Sequence, residues 1–450
     1  MKVDVLILGE GPPPPECDPS PPPSLFCTPF PTLRLWQGIR ALVAAGLQVA
    51  VISEVPGGSA PPTSYRLGDA RVSWWSVLPG QLSPAVVSAE VIRFSPRCVV
   101  SLGPFSPARA AAYVPAGVPV WIDLPGDMMA EAQLRAKDDI SHLTNYHQIL
   151  TAALVRGDAF SVCSPPQQHA LWGQLGLMGR LSPGDLQGPP VLVMPPAVDP
   201  HWFGEAHEAG PLLPPGTPAV GLFGSINTWA DVPRLNALLQ GALTRQPTLH
   251  VVITGGVVAS HEEGATSQLM AGLTAFGDRI HPQGWVEPAR LLSAVDSCQV
   301  ALLVDKPCVE AYLGARTRLG LGVARGLRWV LTPFVYGAAE LGRQGLANPL
   351  DTPERDVDTL LTAMAQGKID ETRRLAWLES YSTPRVSQSL VTWAQAPRLS
   401  SPGFPDLVHR DTRRRLELEE TLDTIYQSPT WRRLSTLHRW LKGKVPPGGS

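Results

Sequence analysis

The sequence predicts an α/β chain of two Rossmann-like, doubly wound domains facing a cleft, followed by a helical tail. Three observations carry this expectation. Short apolar runs alternate with amphipathic segments through the first half. A linker by composition, Gly210-Pro211-Leu212-Leu213-Pro214-Pro215-Gly216, interrupts them. The alternation then restarts, each half running to about 200 residues, a usual size for one α/β domain. Such β-α-β alternation calls for a parallel sheet covered on both faces. The expected units are residues 1–205, 216–395 and a tail at 405–450.

Element by element, residues 3–8 read as the first strand, followed by a glycine and a proline-rich loop. Residues 35–45 read as a helix, with Gly46 placed as its left-handed cap. Residues 49–53, 99–102 and 120–123 are strands. A helix at 149–155, a strand at 159–162, a helix opening at 167–173 and a strand at 192–194 close the half. Past the linker come a strand at 219–223, a helix at 232–243 and a strand at 250–253. Ser260-His261-Glu262-Glu263 has capping-box spacing for the next helix. Then follow a helix at 287–295, a strand at 300–304, a helix at 317–325, a strand at 329–332 and a helix at 357–365. In the tail, 413–426 is a charged helix and 431–441 a basic, aromatic segment.

Composition excludes several classes. With 37 basic and 39 acidic residues, the net charge of −2 gives no field for a polyanion, so no nucleic-acid partner is expected. The 44% hydrophobic fraction can fill real cores. Proline, 48 of 450 residues, is about twice its usual ~5% share and clusters in stiff loops and ends. Six dispersed cysteines without a CxxC pair read as buried thiols in a reducing cytosol. The chain enters a strand at once, without signal-peptide regions, and no apolar stretch reaches the ~18 residues of a membrane span. A cytoplasmic location is expected, with peripheral docking on a membrane left open.

Gly9-Glu10-Gly11 follows the first strand, but four prolines come next, leaving no helix N-terminus for a pyrophosphate. Walker A, GxSxG, HxH and HExxH motifs are absent. The second half offers better loops. Residues 223–231, Phe-Gly-Ser-Ile-Asn-Thr-Trp-Ala-Asp, leave a strand and enter a helix with Asp231 as N-cap. Ile253-Thr254-Gly255-Gly256 ends a neighbouring strand. Glycine lets backbone approach a ligand, and helix N-termini favour phosphate. Alone, each is an ordinary βα turn; together they lie on the strand-end edge where open α/β sheets bind ligands. A third segment, residues 304–318, combines Asp305, Glu310, Gly314, Arg316 and Arg318. Arginine forks bind phosphate and carboxylates bind sugar hydroxyls. The plain alternative is a set of local ion pairs at a helix start.

In this order the segments resemble bacterial glycosyltransferases of the GT-B fold, family-4-like, from surface-polysaccharide and O-antigen gene clusters. The resemblance rests on residues 123–133, 157–164 with Gln167, and 173–181 in the first half. In the second it rests on Asn227-Thr228-Trp229 with Asp231, Thr254-Gly255-Gly256, His261, Gly284-Trp285, and Asp305 with Glu310 before Leu313-Gly314. Residues 428–434 also resemble the tail of polysaccharide glycosyltransferases.

The resemblance implies a nucleotide-sugar donor held by the second domain, a saccharide or lipid-linked saccharide acceptor held by the first, and retaining, metal-independent transfer without a cofactor. It makes Glu310 and Asp305 the catalytic candidates. Gly224, Ser225, Asn227, Thr228, Trp229, Thr254, Gly255, Gly256, His261, Arg316 and Arg318 become donor-binding candidates. Asp123, Gly126, Asp127, Glu131, Gln133 and Ser164 fall on the acceptor side. Without a metal, leaving-group charge must be met by helix N-termini and cations, with Arg316 and Arg318 to hand.

Departures stand beside it. The Arg and Lys common after the glycine loop are absent, Leu321 replaces a carboxylate, Arg328 a proline, and Leu47 a histidine. A non-catalytic scaffold of the same shape, and another two-domain enzyme such as a nucleotide-sugar epimerase, are the alternatives. In the tail, Trp431, Leu434 and Trp440 among Arg432, Arg433, Arg439, Lys442 and Lys444 suit either an anionic membrane surface or docking on the protein.

Overall fold

A computed structural model describes residues 2–17, 30–56, 60–136, 140–181, 188–203, 210–256, 264–401, 403, 409–431 and 433–434. It contains two separate sheets, as expected. The first comprises β1 (Val5–Glu10), β2 (Val49–Glu54), β3 (Ala60–Leu67), β4 (Ala70–Val77), β5 (Cys98–Leu102), β6 (Val120–Asp123), β7 (Ala159–Val162) and β8 (Val191–Val193). Their spatial order is β3-β4-β2-β1-β5-β6-β7-β8, and only the β3–β4 pair is antiparallel. The second sheet is parallel throughout: β9 (Ala219–Phe223), β10 (His250–Thr254), β11 (Ile280–Gly284), β12 (Val300–Leu303), β13 (Arg328–Leu331) and β14 (Ala347–Pro349), in the order β11-β10-β9-β12-β13-β14. Each sheet has an apolar cluster on either face, the doubly wound arrangement.

The central strands are the ones the sequence predicts, because burial on both faces demands continuous apolar runs. Of the strands it does not predict, β3, β11 and β14 lie at edges and β4 one place in. β3 opens Ala-Pro-Pro, β11 contains Pro282 and β14 ends at Pro349. Edge strands tolerate proline since one side needs no N–H donor, and so they lose the apolar signal.

Many prolines serve helix starts rather than loops. Helices Pro84–Phe94, Pro165–Leu177, Val232–Arg245 and Pro288–Asp296 all carry proline in the first turn, where no N–H is missed. Ser83, Ser164 and Asp231 cap the first three through their side chains. The expected capping box at 260–263 lies outside the described residues; the next helix, Ala265–Leu273, starts behind Gly264 without a side-chain cap.

Helix Phe30–Ala44 ties the two halves together. Gln37 donates to the Pro195 carbonyl at 3.1 Å and to Ser387 Oγ at 3.1 Å, and accepts the Ala197 amide at 3.0 Å. Helices Thr383–Val386 and Gln388–Gln395, at the end of the span assigned to the second domain, pack on Phe30–Ala44. Leu390 and Ala394 enter the first sheet's core, and Trp393 meets Trp121 with ring centroids 5.5 Å apart. The tail helix His409–Gln427 packs on helix Ile140–Arg156, with Arg415 donating to the Gln148 carbonyl. Of the basic segment behind it, Trp431, Arg433 and Leu434 are described and exposed; residues 435–450 lie outside. No helix among the described residues is long and apolar enough to cross a membrane.

Candidate active site

Strand order in the second sheet reverses between β9 and β12, since β10 and β11 lie on one side and β13 and β14 on the other. Ligands of open α/β sheets bind in the crevice outside the strand ends at such a point. The loop after β9 carries Gly224 to Asp231, and the loop after β12 carries Asp305 to Arg316. An antiparallel Ala230–Asp305 bridge seams them, with the Lys306 amide donating to the Trp229 carbonyl at 2.6 Å and the Asp231 amide to the Val304 carbonyl at 2.9 Å.

The glycine loops meet as the sequence suggests. Gly224, Gly255 and Gly256 have φ of +89°, +86° and +144°, a region that favours glycine. A Cβ on Gly255 would lie 2.3 Å from the Gly224 carbonyl oxygen, so the close approach depends on a missing side chain. Thr254 Oγ1 and Asn227 Oδ1 are shielded from solvent and have no hydrogen-bond partner among the described residues. Thr228 lends its carbonyl to Lys306 Nζ. His261 lies outside the described residues.

Arg316 departs from the phosphate-binding role expected of it. Its Nε and Nη2 donate to Asp305 Oδ2 at 3.0 and 2.9 Å, while Nη1 and Nη2 donate to the two oxygens of Glu310 at 2.8 and 2.6 Å. Its guanidinium stacks over Trp229, 5.3 Å from the ring centroid. Trp229 is itself buried, so it forms a floor for Arg316 rather than a free donor contact. Burial would lower the Arg316 pKa, but Asp305 and Glu310 more than reverse it, leaving the cation held above its ordinary value. The guanidinium is spent on organising two carboxylates. Gly314 makes room for this: a Cβ there would come within 2.8 Å of Glu310 Oε1.

Arg318 is different. Its one side-chain hydrogen bond goes to the Ser225 carbonyl at 3.2 Å, and it makes no ion pair among the described residues. Burial lowers its pKa, Asp305 opposes and Arg316 adds to the lowering. It is a partly buried cation beside Gly224, without an ion pair among the described residues, and such a group can hold an anion. Leu321 is buried in the core. Arg328 donates to the carbonyls of Gly345 and Gly367.

On the first-sheet side, the candidates divide. Asp123 is wholly buried; it takes a two-pronged ion pair from Arg34 at 2.6 and 2.9 Å and a 2.6 Å bond from Ser161 Oγ. It therefore braces the ends of β6 and β7 and cannot contact an acceptor. Asp127 caps helix Met128–Ala136 by accepting the Ala130 amide at 2.8 Å, and holds Gln174 at 3.0 Å. Gly126 and Asp127 line a small depression with Gln167 and Gln174. Gln133 is exposed. Glu131 bonds Arg135 at 3.3 Å, and Arg135 reaches the Tyr146 hydroxyl. Burial raises the Glu131 pKa; Arg135 opposes this and Glu310, facing it from the second half, reinforces it. Ser164 donates to the Leu313 carbonyl, also across the boundary. A second, open depression lies between the halves from Pro195 to Tyr381 and reaches Arg316 and Thr317.

The first sheet has its own reversal, between β1 and β5. Glu10 ends β1 there and accepts the Ser106 amide at 3.2 Å. Burial pushes its carboxyl up to about 7; the Ser106 hydrogen bond opposes this and Glu54 adds to it. In the sequence this loop stands out only as a rejected dinucleotide site, and the one signal for Glu10 is its position at the end of a central strand. No group of three or more His, Cys, Asp or Glu among the described residues is placed to hold a metal ion.

No family model and no curated protein matches the chain. Solved structures do. A trehalose-6-phosphate structure from E. coli, bound with UDP-2-fluoro glucose, matches at a TM-score of 0.62 and 12% identity, over 88% of this chain and 100% of its own. The sucrose-phosphate synthase of Thermosynechococcus elongatus matches at 0.53 and 13%, over 93% and 100%. AviGT4, a glycosyltransferase involved in avilamycin A biosynthesis, matches at 0.53 and 13%, over 89% and 100%. The likeness is one of fold: this chain has the two-sheet GT-B architecture. It does not single out O-antigen or family-4 enzymes.

Proposed function

We propose that the chain is a glycosyltransferase that moves a sugar from a nucleotide-sugar donor to a saccharide acceptor, with retention, in surface-polysaccharide synthesis. The observation that carries this reading is the Asp305–Arg316–Glu310 triad at the second sheet's reversal point, beside the unpaired Arg318. Such a transfer breaks the bond between the anomeric carbon and the diphosphate, and forms one to an acceptor oxygen that gives up its proton. Positive charge develops on the sugar and negative charge on the leaving diphosphate. Glu310 faces the first and Arg318 the second, while the glycine loops admit the diphosphate to the backbone. The unpartnered Thr254 hydroxyl adds a polar contact. The UDP-2-fluoro glucose in the E. coli structure makes UDP-sugars the first donors to try.

A thermal-shift panel of UDP-, GDP-, ADP- and dTDP-sugars tests donor binding. A matched donor at 100 times its Kd should stabilise by about 2.7 kcal/mol. Arg318→Met should weaken that donor by roughly 10- to 100-fold, the effect of one charge-assisted contact, and leave the unliganded Tm near wild type. Absence of any shift in the wild-type protein, across the panel, would count against the reading.

A further inference from the structure

The resemblance places Ser164 on the acceptor side, where it would touch substrate. Its hydroxyl is instead occupied twice. Oγ accepts the Gln167 amide at 3.1 Å, capping helix Pro165–Leu177, and donates to the Leu313 carbonyl at 2.5 Å. The first bond stays within the first half. The second crosses to the loop of the second half that carries Glu310.

The two ends of this link differ in rigidity. Gln167 donates to the carbonyls of Leu124 and Gly126 at 2.6 and 2.7 Å and accepts the Cys163 amide at 2.9 Å. The end of β7 is thereby fixed to the loop after β6. Leu313 closes helix Val309–Leu313, a five-residue turn. A helix that short has little stability of its own and takes its geometry from what it packs on. It packs on helices Met128–Ala136 and Pro165–Leu177 of the first half. The residue after Leu313 is Gly314, around which the Glu310 carboxylate and the Arg316 guanidinium close. The peptide that Ser164 holds is thus the pivot of the triad.

We propose that Ser164 is a positioning residue. By combining cap and latch in one hydroxyl, it makes the placement of Glu310 and Arg316 conditional on closure of the two halves. Its effect on turnover rests on the glycosyl-transfer reading; the latch itself does not.

Three variants and two readouts test this. Ser164→Asp keeps the cap, since aspartate caps helices as well as serine, but cannot donate to Leu313. Ser164→Thr keeps both bonds, and Ser164→Ala loses both. The readouts are donor turnover and the rate at which iodoacetamide labels Cys308, followed peptide by peptide. Cys308 is half-buried on the same loop and remote in sequence from the cap. Ser164→Asp should lose roughly tenfold or more in kcat, as misplacement of a reacting group does, with little change in donor KM. It should label faster at Cys308; because Ser164 is wholly buried, the added carboxylate lowers its Tm as well, and Ser164→Thr should match wild type in every measurement. A merely structural cap would lower the Tm of Ser164→Ala and Ser164→Asp but leave Cys308 labelling unmoved in both. Wild-type labelling in Ser164→Asp, or faster labelling with wild-type turnover, would overturn the proposal. Faster labelling in a protein whose wild type turns over no nucleotide sugar would leave the latch standing and overturn the transferase reading.

Discussion

Replacing Arg316 by methionine should destabilise the fold by about 3–5 kcal/mol at neutral pH. The triad is buried: the Arg316 side chain is 5% exposed, and its partners Asp305 and Glu310 are 3% and 8% exposed. An exposed ion pair contributes only about 0–1 kcal/mol. A buried one behaves differently, because removing the cation leaves two carboxylates without the partner that made their burial tolerable. Methionine keeps an unbranched apolar stem but drops the guanidinium, so the loss combines the stranded carboxylates with the lost contact over Trp229. Urea denaturation of both proteins at pH 7 checks this. A deficit under 1 kcal/mol at pH 7 would mean the triad is solvated after all.

Glu310→Gln should lower turnover by of order 10²-fold or more, about 2.7 kcal/mol of transition-state stabilisation. Glutamine keeps the shape and removes the charge that the proposed transfer sets against the developing positive charge. A stability loss will accompany it, because both Glu310 oxygens accept from the buried Arg316. Asp305→Asn is the necessary comparison. It removes a charge from the same triad, but Asp305 lies at the strand end bridged to Ala230, while Glu310 lies on the turn packed against the first half. The two variants should lose comparable stability, and Glu310→Gln should lose more turnover. Equal turnover losses would reduce Glu310 to a structural partner of Arg316.

The sequence made the glycine loops and the triad segment legible because both follow apolar strands that end in residues suited to ligand approach. It did not show which way Arg316 points. An arginine beside two carboxylates can serve a ligand or the carboxylates, and only its burial over Trp229 decides between them. The Arg34–Asp123 pair was hidden for another reason: its members are 89 positions apart, so Asp123 looked like a free polar group at a strand end. The prolines of β3 and β11 conceal edge strands. Ser164 is an acceptor-side candidate by resemblance alone; that its hydroxyl donates to Leu313 depends on the meeting of the two halves, which no local pattern shows.

Product formation from a donor the wild-type protein binds is the most direct measurement of what this fold does. With a nucleotide sugar and a saccharide acceptor, the expected result is stoichiometric release of the nucleoside diphosphate and appearance of the sugar on the acceptor, its anomeric configuration retained by NMR. Saturable donor binding without release of diphosphate, across a panel of saccharide and lipid-linked saccharide acceptors, would contradict it and identify the chain as a GT-B-shaped binding protein.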